Sequence, residues 1–161
     1  MSDIRVAIIT CSDSRFAGSA PDTAGPALAL ECEARGWTVV GAATVADEAE
    51  AISAAIVRFA DHEHADIVLT CGGTGLGPRD VTPEATLSVC PRQAPGIAEV
   101  IRARSMEITE RAMLSRAVAG VRGTTLVVNL PGSLKGAVES LGFVADQFAH
   151  AVAMMHGEGH A

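Results

Sequence analysis

Thr70-Cys71-Gly72-Gly73-Thr74-Gly75-Leu76-Gly77-Pro78-Arg79-Asp80-Val81-Thr82-Pro83-Glu84-Ala85 passes from an apolar strand through a glycine loop into a helix start. The glycines at 72, 73, 75 and 77 carry no Cβ and accept positive φ, so several N–H groups can converge on one anion. Thr82 reads as the N-cap, Pro83 as the first helical residue and Glu84 as a first-turn acid, which sets a helix N-terminus beside the loop. Asp80 stands between loop and helix, where a carboxylate can hold a metal ion against a phosphate.

Two common phosphate signatures are excluded. From Gly72 the Walker spacing reaches Gly77, but Pro78 and Arg79 follow where Lys and Ser/Thr are required. The dinucleotide fingerprint starts at Gly73 and Gly75 and then meets Pro78 where its third glycine belongs.

Outward from the loop, the chain alternates strands with helices. Ile4 to Thr10 is a short apolar run ending in Cys11-Ser12-Asp13-Ser14, and Ala24 to Arg35 has helical spacing that stops at Gly36. Trp37 to Val45 reads as a second strand, and Asp47-Glu48 opens an amphipathic helix with Ile52, Ala55, Ile56 and Phe59 on one face. Asp66 to Cys71 is the third strand. Pro95 to about Ile108 is a helix, and Leu114-Ser115-Arg116 lies in a loop or short turn. Thr124 to Asn129 is a further strand, and Pro131-Gly132-Ser133 turns into one long final helix, Leu134 to about Met155. The tail His156-Gly157-Glu158-Gly159-His160-Ala161 reads as a frayed end, and its histidines lack the zincin pattern.

This order predicts an α/β fold, a three-layer α/β/α sandwich around a mainly parallel sheet, with residues 1–161 forming a single domain. In such folds ligands bind at the carboxyl ends of the strands. Ser12-Asp13, Asp47, Gly72 to Asp80 and Asn129 to Ser133 all follow strands, so they group into one candidate site. Taken alone, Asp47 reads as a helix N-cap and Asp80 as a turn residue bonding its own backbone.

Composition narrows the partners. Of 161 residues, 48% are hydrophobic and only 3% aromatic, so Ala, Val, Leu and Ile must fill the core and base-stacking platforms are scarce. A net charge of −7 disfavours nucleic acid and anionic membrane as partners. A phosphate bound here needs backbone N–H groups, a few arginines, a divalent cation or the sole lysine, Lys135. Cys11, Cys32, Cys71 and Cys90 form no C-x-x-C pair and no secretory signal precedes them, so a cytoplasmic protein with buried thiols is expected; Cys11 and Cys71 beside the site are the candidates for a reactive thiol.

With the loop from Gly72 to Ala85, Leu114-Ser115-Arg116 and Asn129-Leu130-Pro131-Gly132 in view, the chain resembles the Mog/MoaB family of molybdenum cofactor biosynthesis, the molybdopterin adenylyltransferases, nearly end to end. The ordered set G-G-T-G, R-D-x-T-P-E and N-L-P-G carries the resemblance, with Asp47-Glu48 matching the family's acidic pair. It implies adenylyl transfer from Mg-ATP to the terminal phosphate of molybdopterin with release of pyrophosphate. It implies that Asp80 and Asp47 are catalytic and hold Mg2+, and that Ser12, Asp13, Gly72, Gly73, Thr74 and Gly75 contact the nucleotide phosphates. Molybdopterin falls to Ser115, Arg116, Pro131, Gly132, Ser133 and Lys135, with Arg116 meeting a phosphate. A homotrimer and hand-over to a molybdate-inserting protein are further implications. The first loop carries Thr23 where a lysine is common in the family. A non-catalytic molybdopterin carrier and a nucleotide pyrophosphatase-like enzyme are the alternative functions.

Overall fold

The computed structural model describes residues 3–158. Its centre is a six-stranded sheet in the order β2-β1-β3-β6-β5-β4. Strands β1 (Arg5–Cys11), β2 (Thr38–Val45), β3 (Ile67–Cys71) and β6 (Thr125–Leu130) run parallel, whereas β5 (Ala119–Arg122) and β4 (Arg92–Gln93) are antiparallel additions at one edge.

Period-two alternation of side chains along the buried strands divides the core into two layers. Val6, Ile8, Ile67, Leu69, Leu126 and Val128 face α2 (Ala24–Ala34), α5 (Pro95–Met106), α6 (Leu134–Val144) and α7 (Phe148–Met155), which supply Leu28, Ile101, Leu141 and Phe148. Ala7, Ile9, Val68 and Val127 face α3 (Ala49–Val57) and α4 (Thr82–Val89), which supply Ile52, Ile56 and Ala85. The expected three-layer sandwich is the observed one. With few aromatics, small residues let the helices seat closely; Trp37, just before β2, stacks on Phe148 of α7 at 5.8 Å.

Several boundaries differ from the sequence expectation. Helix α4 starts at Thr82, one residue early, with Val81 in the capping position. The Thr82 hydroxyl does not cap the helix but donates to the Gly72 carbonyl at 2.9 Å, pinning the glycine loop to α4. Asp47 is not the N-cap of α3; Glu48 occupies that position. The expected long final helix is two helices separated by a 3-10 turn at Ala145–Gln147. The short strands β4 and β5 have no counterpart in the sequence expectation. Of the tail, Gly159 to Ala161 lies outside the described residues.

The connections place the site. From β1 the sheet grows to β2 on one side and to β3 and β6 on the other, so a crevice opens between the carboxyl ends of β1 and β3. Because β5 runs antiparallel, the segment just before it, Ser115 to Val118, is delivered to that same end.

Candidate functional site

Asp13 and Asp47 are locked together above the crevice. The Asp13 amide donates to Asp47 Oδ2 at 2.9 Å, and the Asp47 amide donates to Asp13 Oδ1 at 3.0 Å. Arg79 then grips Asp13 with both prongs, Nε to Oδ2 and Nη2 to Oδ1 at 2.9 Å each. That bidentate pairing holds the Asp13 carboxyl below the usual carboxylate range, with the Asp47 amide acting in the same direction. Asp47 goes the other way: burial raises its carboxyl above the usual range, the charges of Asp13 and Asp80 add to the rise, and the Asp13 amide opposes it.

The second oxygen of Asp47, Oδ1, is buried without a hydrogen-bond partner. A Cβ placed on Gly73 would lie 3.2 Å from it, and Gly73 has a φ of +68°, so this position needs a glycine for both space and conformation. Asp80 accepts the Gly77 amide at 2.9 Å, and its Oδ2 occupies the space that side chains on Gly75 or Gly77 would require. The glycine loop is thus folded around two carboxylates.

Arg116 braces the loop from the far side. Its amide donates to the Thr74 carbonyl at 2.8 Å, its Nε to the Gly75 carbonyl at 2.8 Å and its Nη2 to the Asp80 carbonyl at 2.6 Å, while Nη1 pairs with Glu84. Its charge is therefore directed at the protein and lowers the Glu84 carboxyl.

Beside Thr74 and Gly75 opens a cavity of about 310 Å³ between α5, α6 and the 3-10 turn Glu110–Leu114. Ser115, Pro131 and Ser133 line it, as do Arg102, Ser105, Thr109 and Ser140. Arg102 holds the wall by donating to the carbonyls of Ser115 and Ala117 at 3.0 and 3.1 Å. Ser133 caps α6 through its hydroxyl, which accepts the Gly136 amide at 3.1 Å. Gly132 borders the glycine loop, since a Cβ there would lie 3.2 Å from the Gly72 Cα.

The expected residues are mostly brought together: Asp13, Asp47, Gly72 to Gly75 and Asp80 on one side, Ser115, Arg116, Pro131, Gly132 and Ser133 on the other. Ser12 caps the short helix α1 (Asp13–Phe16), accepting the Arg15 amide at 3.3 Å. Lys135 is not brought in; its side chain is 77% exposed, and its partner is Glu139 on the next turn at 3.8 Å. Sequence reasoning missed the roles of Arg79, Arg102 and Ser140. Arg79 sits inside the quoted motif and its pairing with Asp13 needs only opposite charge, whereas Arg102 and Ser140 follow no local pattern. Cys11 is buried, which pushes its thiol up to about 12, and burial also raises Cys71, so neither is a thiolate at neutral pH.

The family described as probable molybdopterin binding domain matches residues 7–150. The chain is 34% identical over 159 residues to the molybdopterin adenylyltransferase of Helicobacter pylori strain J99, covering 98% of this chain and 90% of that protein. It is 37% identical over 153 residues to the molybdenum cofactor synthesis protein cinnamon of Drosophila melanogaster, covering 94% of this chain but 26% of that protein. The chain spans at most half the length of the first curated relatives it matches. The crystal structure of the molybdopterin biosynthesis enzyme MoaB from Thermus thermophilus superposes with a TM-score of 0.90 at 45% identity, covering 96% of this chain and 97% of that one. With the glycine loop, the paired aspartates and the adjoining cavity in one continuous match, this chain belongs to the Mog/MoaB family.

Proposed function

We propose that the chain is a molybdopterin adenylyltransferase, transferring AMP from Mg-ATP to the terminal phosphate of molybdopterin with release of pyrophosphate, and that residues 1–161 act as one domain in doing so. The observation that carries this reading is that the cavity and the aspartate pair share one loop: Thr74 and Gly75 wall the cavity while Gly73 and Gly75 enclose Asp47 and Asp80. A pterin in the cavity and a nucleotide over the loop would meet there.

Magnesium fits these residues. Among the described residues no cluster of three His, Cys, Asp or Glu side chains could hold a metal alone, so phosphate and water oxygens must complete any shell. Two carboxylates plus phosphates and water are the set magnesium uses, and the unpartnered Asp47 Oδ1, together with the Asp80 carboxylate, would supply the protein's share. When bound, the ion would neutralise charge on the phosphates. The chain's own residues orient the carboxylates: the Asp13 amide fixes the Asp47 carboxylate, Arg79 fixes that of Asp13, the Gly77 amide fixes Asp80, and the loop offers N–H groups to the transferring phosphate. No side-chain nucleophile is needed, because the attacking oxygen is the pterin phosphate's own.

The test is anaerobic incubation with molybdopterin and Mg-ATP, reading the adenylylated pterin by mass. Asp80→Asn should abolish product while sparing molybdopterin binding. Tight binding with no ATP-dependent product in the unaltered chain would make it a carrier.

A cytoplasmic homotrimer that hands its product to a molybdate-inserting protein completes the proposal. Free, buried cysteines support a reducing compartment, and no described helix is long and apolar enough to cross a membrane. Leu30, Val100 and Met154, each at least 42% exposed, support an association surface; sedimentation equilibrium gives the mass directly.

A further inference from the structure

The acidic chain must hold a polyphosphate against its own carboxylates, and most of the cations near the glycine loop are already used. Arg79 is bound to Asp13 and lies 3.9 Å from Glu48. Arg116 is bound to Glu84. Lys135 points to solvent beside Glu139. Arg15 is different. It is the sole basic residue between Ser12 and Thr23, and among the described residues its guanidinium pairs with no carboxylate. Its one side-chain hydrogen bond runs from Nη1 to the carbonyl of Gly132 at 3.1 Å, across 117 residues of chain.

That bond locates the group. Gly132 abuts Gly72, so a guanidinium held on the Gly132 carbonyl stands over the start of the glycine loop. Its charge reaches the Cys71 thiol at the end of β3, where it opposes the rise caused by burial. Arg15 is absent from the walls of the 310 Å³ cavity, to which the loop after β1 contributes nothing. Four of its five N–H donors are left for a ligand.

We propose that Arg15 is a phosphate-binding residue of this site, with its guanidinium, anchored on Gly132, taking the pyrophosphoryl end of a nucleotide laid over Gly72 to Gly75. The assignment rests on the adenylyltransferase reading for the identity of the nucleotide, but anion binding itself does not. At the sheet end that carries Asp13, Asp47 and Asp80, the arginine supplies a cation that no described carboxylate has taken.

The experiment is calorimetric titration of inorganic pyrophosphate, with magnesium, into the unaltered chain and into Arg15→Gln and Arg15→Lys, with Arg35→Gln as a distant charge control. Arg15→Gln should weaken pyrophosphate about 10- to 100-fold, the range for losing a charged hydrogen-bond partner. Arg15→Lys should recover part of the loss, Arg35→Gln should match the unaltered chain, and molybdopterin affinity should not move. Raising ionic strength should weaken pyrophosphate less in Arg15→Gln than in the unaltered chain, which a merely structural brace on Gly132 would not produce. Equal pyrophosphate affinity in Arg15→Gln, a fall in molybdopterin affinity alone, or no pyrophosphate binding by the unaltered chain overturns the assignment. Arg15-dependent pyrophosphate binding without adenylylated product would retain the anion site and sink only the adenylyltransferase reading.

Discussion

Arg116 shows how a residue expected to meet the substrate is committed to the protein. Backbone carbonyl contacts and an ion pair fan out from one planar group, a geometry that lysine cannot reproduce. Arg116→Lys should therefore lower turnover nearly as much as Arg116→Ala, by about tenfold or more for the loss of a charged hydrogen bond. Steady-state kinetics of the two variants side by side test this; full rescue by lysine would mean that charge alone matters. The sequence makes Arg116 conspicuous through Leu114-Ser115-Arg116 but carries no sign of the direction of its side chain, which depends on Glu84 and the Gly75 carbonyl across the site. Asp47 and Asp80 are legible because each follows a strand, and strand order alone brings them to one edge.

Elements follow the same division. The buried strands β1, β3 and β6 are readable because apolar, largely β-branched residues dominate their interiors. Strand β5 is not, because Ala119-Gly120-Val121-Arg122 is short, holds a glycine, and gains its burial from pairing with β6. The break at Ala145–Gln147 has no proline or glycine to announce it; just past it Phe148 is buried and stacked on Trp37. The buried end of β6 tests how elements are tied. Asn129 donates to Thr70 Oγ1 at 3.0 Å and Thr86 Oγ1 at 2.9 Å and accepts the Val118 amide at 3.2 Å, joining β3, α4 and the entry to β5. Asn129→Leu would strand the Val118 amide, at about 1–3 kcal/mol for a buried unpaired group. A lower urea midpoint at unchanged m-value is the expected result.

At the scale of the whole molecule, the layers are clasped away from the site by Arg122, which grips Asp61 at 3.0 and 2.7 Å and donates to the Val89 carbonyl at 3.0 Å. Arg122 holds the Asp61 carboxyl below the usual carboxylate range. A depressed acid contributes stability that is present above its unfolded pKa and is lost as pH falls through the folded one. The melting temperature of Asp61→Asn should thus lie below that of the unaltered chain at neutral pH, with the gap closing on acidification past about pH 3.9. A gap that persists in acid would assign the effect to shape rather than charge.

The bare contact between Gly72 and Gly132 has a consequence for how two ligands sense each other. With no side chain between them, a shift of one loop presses directly on the other, so occupying one bank should constrain the other. Nucleotide and pterin should therefore be thermodynamically linked, each changing the affinity of the other by the same factor. Gly132→Ala, which would press a methyl group toward the Gly72 Cα at 3.2 Å, should part the loops and shrink that factor toward unity. Titrating each ligand with and without the other measures the factor from both directions.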